Sequence, residues 1–370
     1  MKKTIFMAAT AVVVMSMAAC AANESPASTN SSATEGSGSA APVLSGIINA
    51  GGSSAQTAAQ EAWRAGFQGA NSGVTVNYDP TGSGTGRQNF TSGGYVLAGT
   101  DAAFDADQAA GPFAPCASGS KLVEVPAYIS PIAIGFNLAG IESLNLDADT
   151  IAKIFSGQIT TWDDEAIASQ NAGVDLPSTT ITAVHRSDQS GTTENFTDYL
   201  HKAAPSVWAW DPGQTWPADL TGEAAEKTQG VRETIVSTQG AVGYIDASQA
   251  TSMGTAAVKV GGTYVAYSAS AAAAAVGKSP LETGRESTDV VVALDRTLTD
   301  PDVYPVVLVS YLAACGTYAD PNDAALVKAY LTYVISDAGQ QAAAANAGSA
   351  PINTDPTLAD KAAAAVAQIK

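Results

Sequence analysis

Residues 184–194 read Val184-His185-Arg186-Ser187-Asp188-Gln189-Ser190-Gly191-Thr192-Thr193-Glu194, a stretch that concentrates side chains suited to holding an oxyanion. Arg186 offers a planar fork of donors that matches two oxygens of a tetrahedral anion, and Asp188 is placed to steady that fork. Ser190 and Thr192 add two hydroxyls, and Gly191 lets backbone come close. The neighbours indicate what carries these groups. Thr182 to Val184 favour an extended segment, whereas Phe196, Tyr199 and Leu200 recur at helical spacing. The stretch is therefore a strand-to-helix turn. Ser190, Gly191 and Thr192 fall where the first N–H groups of a helix have no internal acceptor and the helix dipole favours a negative guest. The same residues also fit an ordinary capped helix with a surface Arg–Asp pair, so other parts of the chain must decide.

Three further segments have the same character. Strand-like Gly46-Ile47-Ile48-Asn49-Ala50 runs into Gly51-Gly52-Ser53-Ser54 and a helix whose apolar face includes Ala59, Ala62, Trp63 and Phe67. Alternating Val74-Thr75-Val76-Asn77-Tyr78 leads through Thr81-Gly82-Ser83-Gly84-Thr85-Gly86 into the segment from Arg87 to Phe90. Tyr95-Val96-Leu97-Ala98-Gly99-Thr100 then ends in Asp101, an acid at the carboxyl end of a strand. Repeated strand, turn and helix predict α/β layers whose ligands gather at strand carboxyl ends.

Farther along, Leu122 to Val125 and Ile129 to Phe136 read as two strands. Pro126 and Pro131 suit a crossing between lobes better than a central ladder. Asp147 caps a helix closed by Gly157. Val258–Val260 and Tyr264–Ala266 flank Gly261-Gly262, a hairpin signal. Val290 to Leu294 reads as another apolar strand, Tyr304 to Val309 as a return crossing, and the alanine-rich runs at 270–275 and 342–345 as helix.

Composition narrows the function. The 370 residues are 46% hydrophobic and 7% aromatic, long enough for a large core, and the formal charge is −18. That charge argues against nucleic acid, and it requires local dipoles rather than a basic field to bind any anion. Lys2-Lys3, an apolar run from Ile5 to Met17 and Ala18-Ala19-Cys20 form an export signal over 1–20, and the small residues before Cys20 resemble the bacterial lipobox, in which the cysteine is lipidated. A secretory peptide cleaved without lipidation is the other reading. Residues 21–43, rich in Ser, Ala, Asn and Gly, fit a flexible linker. The two remaining cysteines, Cys116 and Cys315, meet an oxidising compartment after export and are expected to form a disulfide, two buried thiols being the alternative.

Enzyme readings lack parts. Thr81 to Gly86 has no Gly-Lys-Ser/Thr of a P-loop. His185 and His201 are too few and wrongly spaced for a histidine-rich zinc site, so no metal or cofactor is expected. Neither Gly82-Ser83-Gly84 nor Gly52-Ser53-Ser54 completes the elbow of a serine hydrolase.

Gly51-Gly52-Ser53-Ser54-Ala55-Gln56, Asn77-Tyr78 before Gly82-Ser83-Gly84-Thr85-Gly86, Gly99-Thr100-Asp101, Trp162-Asp163-Asp164-Glu165-Ala166-Ile167 and Arg186 to Thr192, taken together and in this order, resemble the substrate-binding protein of the bacterial phosphate ABC importer. The similarity runs from about residue 46 to 355. It implies a two-lobed periplasmic-binding-protein-like α/β fold with two crossover segments and a ligand cleft between lobes. It also implies a monomer that binds inorganic phosphate, hands it to importer permease subunits and catalyses nothing. Carried over by motif, the ligand contacts are Ser54, Ala55 through its N–H, Ser83, Asp101, Arg186, Ser190, Gly191 and Thr192, with Arg186 the one full positive charge. Ala55 stands where relatives carry a bulky residue, and Ser-Gly-Thr-Gly stands where others have Ser-Ser-Gly-Gly. Trp162 to Ile167 is expected to be a structural helix start. Lobe 1 is expected at 44–128 and 306–370 and lobe 2 at 129–305, with the protein extracytoplasmic and anchored to the cell membrane through Cys20. A receptor for another tetrahedral oxyanion such as sulfate, and a secreted phosphoesterase with a serine nucleophile, are the alternatives.

Overall fold

A computed structural model describes residues 44–370; the expected export signal, Cys20 and the linker lie outside the described residues. The chain opens with the alternation expected of α/β layers: β1 (Gly46–Gly52), α1 (Thr57–Ala70), β2 (Val74–Asp79), α2 (Ser83–Ser92), β3 (Leu97–Thr100) and the short α3 (Ala106–Ala109). Then come β4 (Leu122–Phe136), β5 (Ser143–Leu146), α4 (Ala148–Phe155), α5 (Glu165–Ala168), β6 (Thr182–Arg186), α6 (Gly191–Ala203), β7 (Glu223–Ala225), α7 (Lys227–Ser237) and β8 (Ala241–Asp246). A hairpin of β9 (Gly254–Val260) and β10 (Thr263–Val265) precedes α8 (Ala269–Gly277) and β11 (Val307–Cys315). The chain closes on α9 (Pro321–Ile335), α10 (Asp337–Ala347) and α11 (Pro356–Ala367).

The strands follow one path, β2-β1-β3-β11-β4-β8-β6-β7, with β9 joining β4 and carrying β5 and β10. β1 pairs parallel with β2 and β3, and β6 pairs parallel with β7 and β8, so each end of the path is a parallel unit flanked by helices. β4 joins the two. Its first part, through Pro131, pairs antiparallel with β11, and from Ile132 onward it pairs antiparallel with β8.

The sequence predicts two strands, at 122–125 and 129–136, with Pro126 between them and Pro131 inside the second. The chain instead forms one fifteen-residue strand buried along its whole length in the middle of the path. The prolines are accommodated locally. Pro126 sits opposite Tyr311, where the register with β11 shifts, and Pro131 sits where the strand exchanges β11 for β8, so neither interrupts a regular ladder. The strand expected at Val290 to Leu294 is also absent. Val290, Val291 and Val292 are buried, but only single bridges form, at Asp289 and Val292. Their N–H groups find isolated partners instead: Val290 donates to the Glu124 carbonyl (2.8 Å) and Val292 to the Tyr311 hydroxyl (3.1 Å).

Of the segment expected at 304–309 only Val307 onward is strand, in β11, while several other local expectations hold. Asp147 accepts from the Thr150 N–H (2.8 Å) to cap α4, and β9 and β10 pair across Gly261-Gly262. Both alanine-rich runs lie in helices, α8 and α10. Trp162 is fully buried and donates to the Gly240 carbonyl (3.0 Å), a structural role ahead of α5. Cys116 and Cys315 are bonded, with Cα atoms 5.3 Å apart and a sequence separation of 199. In the chain-entropy account, closing a loop of that size stabilises by about 5 kcal/mol.

Candidate functional site

Four helices begin at one place. α1 and α2 follow β1 and β2 in one half of the sheet, while α6 follows β6 and α7 follows β7 in the other. Each turn delivers the positive end of a helix dipole and N–H groups that have no acceptor within their own helix. Ser54, Ala55, Ser83, Asp101, Arg186, Ser190, Gly191 and Thr192 are all buried there.

Asp101 stands at the centre. Its Oδ2 accepts from the Ser53 hydroxyl (2.6 Å) and, at 3.5 Å, from Thr192 Oγ1 on α6; its Oδ1 accepts from the Ser310 hydroxyl (2.5 Å). Its N–H donates to Ser83 Oγ (3.2 Å). Burial pushes the Asp101 carboxyl above the usual carboxylate range, and the Ser310 and Ser53 hydroxyls, the charge of Arg186 and the Thr192 hydroxyl pull it back. Gly191 explains how α6 comes so close: a Cβ there would lie 2.6 Å from the Ala102 nitrogen and 2.7 Å from the Asp101 carbonyl carbon.

Arg186, at the end of β6, is buried and grips Asp188 with both arms of its fork, Nε to Oδ1 (2.7 Å) and Nη2 to Oδ2 (2.5 Å). Burial would raise the Asp188 carboxyl, but the hydrogen bonds and charge of Arg186, with the Lys227 N–H, hold it below its ordinary value. That N–H, 3.0 Å from Asp188 Oδ1, is aimed by a left-handed backbone at Lys227 (φ 62°), which costs a non-glycine residue about 1–2 kcal/mol. Gly82 makes the matching allowance from α2, since a Cβ would meet Asp188 Oδ2 at 2.5 Å.

At the start of α6 the donors divide. The Ser190 N–H goes to the Gln214 carbonyl (2.9 Å), the Thr193 N–H to Ser190 Oγ (3.2 Å) and the Glu194 N–H to the Ser190 carbonyl (3.1 Å). The Gly191 and Thr192 N–H groups are left without a protein acceptor among the described residues, and the Ser190 hydroxyl, although it accepts, still has its own hydrogen to donate. Ala55 differs from the expectation that its N–H faces the ligand: that N–H is 3.1 Å from Ser53 Oγ and donates to it.

Three partners escaped the sequence reading. Thr228 on α7 meets Ser54 across the site, Oγ1 to Oγ 2.9 Å, and adds its N–H to Ser54 Oγ (3.1 Å). Ser310 on β11 holds the second oxygen of Asp101. Arg87 is a second buried cation beside the expected one, donating to Thr100 Oγ1 (3.1 Å) and the Ala102 carbonyl (2.8 Å), on either side of Asp101. The glycine-rich run before Arg87 hinted at an anion loop, but nothing around Thr228 or Ser310 marks a site. Neither histidine serves a serine: His185 Nδ1 lies 3.0 Å from the Arg186 carbonyl oxygen with its ring stacked on Trp216, and His201 Nδ1 lies 3.0 Å from the Trp210 carbonyl oxygen.

The arrangement provides helix dipoles, hydroxyls, the Arg186 fork paired with Asp188, the Arg87 guanidinium and the Asp101 carboxylate in a buried site between two halves of a sheet. Such a set holds a compact anion without any net positive field around it. Known proteins are similar to this chain. The PBP superfamily domain matches residues 24–338. The phosphate-binding protein PstS 3 of Mycobacterium tuberculosis (strain CDC 1551 / Oshkosh) is 33% identical over 320 residues, covering 84% of this chain and 85% of its own. That of Mycobacterium leprae is 34% identical over 294 residues, with 78% of each covered. Among solved structures, a high-affinity periplasmic phosphate-binding protein bound with phosphate superposes with a TM-score of 0.67 at 23% identity, covering 83% of this chain and 90% of that one. A phosphate-binding protein from Stenotrophomonas maltophilia gives a TM-score of 0.64 at 20% identity, covering 86% and 94%. These two likenesses show the two-lobed fold. The chain belongs to the PBP superfamily and, within it, to the family of PstS phosphate-binding proteins, the periplasmic substrate-binding proteins of the phosphate ABC importer.

Proposed function

We propose that the protein captures inorganic phosphate outside the cytoplasm, between its two lobes, and hands it to the permease subunits of an ABC importer without transforming it. The observation that carries this reading is the convergence of four helix starts on Asp101 and the Arg186–Asp188 pair, with the Gly191 and Thr192 N–H groups left over as donors. Ser54, Ala55, Ser83, Asp101, Arg186, Ser190, Gly191 and Thr192 form the ligand set in this reading. Ala55 contributes its N–H once the ligand competes with Ser53 Oγ for it. Lobe 1 comprises 44–128 and 306–370 and lobe 2 comprises 129–305. This division is supported by the exchange of strand partners after Pro131 and by the start of β11 at Val307. The protein acts as a monomer, tethered through lipid on Cys20 by the spacer 21–43. A root-mean-square reach of about 25 Å for such a coil frees the lobes to meet a permease.

Calorimetric titration of the mature protein with phosphate and with sulfate tests the reading. Stoichiometric binding of phosphate, weak or no binding of sulfate and no turnover of a chromogenic phosphoester are expected. Turnover, or equal affinity for the two anions, would overturn it. For the tether, Cys20→Ser should release the protein from the membrane fraction, and unchanged retention would count against lipidation.

A further inference from the structure

Asn195 lies one turn into α6, buried, and touches none of the groups assigned to the anion through their side chains. Its Nδ2 donates to the backbone carbonyl of Asp101 (2.7 Å) and to that of Gly191 (2.9 Å), while its Oδ1 accepts from Arg296 Nη2 (2.6 Å). The orientation of the amide is fixed by chemistry. A guanidinium has only donors, so the atom facing Arg296 must be the oxygen, and the NH2 group must face the two carbonyls. Arg296 is itself rigidly held, 3% exposed, with Nη1 on the Pro305 and Val307 carbonyls (2.9 and 2.6 Å) and Nε on Asp198 Oδ2 (2.9 Å). Those two carbonyls lie at the entry to β11, which pairs with β4 on its way to the other half of the sheet.

One amide thus ties the backbone of Asp101, at the end of β3, to the backbone of Gly191, at the start of α6, and both are braced against the crossing segment. If the halves separate, the bond to the Asp101 carbonyl is the one of Asn195's three that breaks, together with the Ser54–Thr228 and Thr192–Asp101 contacts. The bonds to Gly191 and Arg296 remain within the same half or at the crossing.

We propose that Asn195 is the latch of the closed state: a positioning residue that sets how long phosphate is retained, acting through the Asp101 backbone rather than through the ligand. This rests on the phosphate reading above. The latch forms after the ligand has entered, so it slows dissociation and leaves association largely alone.

Asn195→Asp is the sharpest variant. It keeps the shape and the acceptor for Arg296, but turns both donors into acceptors facing carbonyl oxygens. Stopped-flow association and dissociation of phosphate on the full mature protein should show dissociation faster by about tenfold or more, as expected for the loss of one buried hydrogen bond, with the association rate within about threefold of the parent. Small-angle scattering of the phosphate-saturated variant should show a more open shape. Asn195→Ala, which deletes the donors without adding repulsion, is expected to show the same split to a smaller degree, and it serves if the aspartate variant does not fold. Unchanged dissociation in a folded variant would overturn the latch, as would an association rate that falls in step. A parent that binds no phosphate would overturn the receptor reading and the latch with it, which separates the two failures.

Discussion

The hydroxyls of Ser54 and Thr228 lie 2.9 Å apart although 174 residues separate them, and the pair joins the starts of α1 and α7. Thr228 also donates its N–H to Ser54 Oγ; either hydroxyl can donate in the contact between them, and where the Thr228 hydroxyl donates, the Ser54 hydrogen is free for a ligand. In the proposed reading Thr228 is therefore the group that orients Ser54. Thr228→Val keeps the branched shape and the N–H but removes the hydroxyl. Phosphate affinity measured by calorimetry should fall by about 1 kcal/mol, the net worth of one buried hydrogen bond. Unchanged affinity would remove the Thr228 hydroxyl from the site.

Arg186 does two things at once, since its fork holds Asp188 while its charge acts on Asp101. Arg186→Ala deletes a charged donor and leaves Asp188 unpaired beside an anion. Phosphate binding should weaken by about 1.5–3 kcal/mol. Arg186→Lys should recover only part, because an ammonium cannot make both bonds to Asp188 in the plane of the carboxylate. Titrations in which the alanine variant matches the parent would show that the turn at 186–192 is not the cradle.

How far the sequence reveals this site depends on whether the information is local. The turn at Arg186 to Thr192 was readable because an apolar strand, a capping serine and a helical apolar repeat follow one another within about twenty residues, and Ser190 does cap α6. The Asp101 position was readable as an acid at a strand end. Thr228 and Ser310 were not, because each reaches the site only through the sheet order, Thr228 behind β7 at one edge and Ser310 on a strand added last. No local spacing encodes that. The long β4 was misread for a related reason. Proline is costly inside a ladder, and only the partners show that Pro126 sits at a register shift and Pro131 at a change of partner. The valines at 290–292 read as strand because the run is apolar; they are indeed buried, yet burial alone does not supply a neighbouring edge.

Asp246 gives the fold a pH dependence away from the ligand. It ends β8 beside Ile132, where β4 has just changed partners, and it makes no ion pair among the described residues. It accepts from the Tyr128 hydroxyl (3.3 Å) and the Ser248 N–H (3.0 Å). Burial pushes its carboxyl up to about 6, against the Ser248 and Ser130 hydrogen bonds and with a small further push from Asp101. A carboxyl raised in the folded state binds its proton more tightly there than in the unfolded chain. Between about pH 4 and 6 this residue therefore costs stability as pH rises, reaching about 3 kcal/mol above that window. Asp246→Asn keeps an acceptor and carries no charge to desolvate. Urea denaturation at pH 4 and pH 7.5 should show the variant gaining on the parent mainly at the higher pH; an equal difference at both would refute the assignment.

Asp101 is the group that should separate phosphate from sulfate. Near neutral pH phosphate still carries a proton and sulfate carries none, so an ionised acceptor among donors distinguishes anions of nearly equal size. The carboxylate already accepts from Ser53, Ser310 and, at longer range, Thr192, which accounts for three of its roughly four lone-pair positions and leaves one for a ligand hydroxyl. Sulfate would bring oxygen lone pairs against that position in a buried site. Sites whose polar group is left unpaired by the wrong ligand discriminate by about 10⁴ to 10⁵. Asp101→Asn removes the charge and supplies an amide that can donate as well as accept, with one neighbouring serine rotating its hydroxyl to accept from it. The variant should keep appreciable phosphate binding and gain measurable sulfate binding in the same titration. If instead it rejects sulfate as strongly as the parent does, Asp101 is a structural anchor for Ser53 and Ser310, and selectivity must come from the donors on α6.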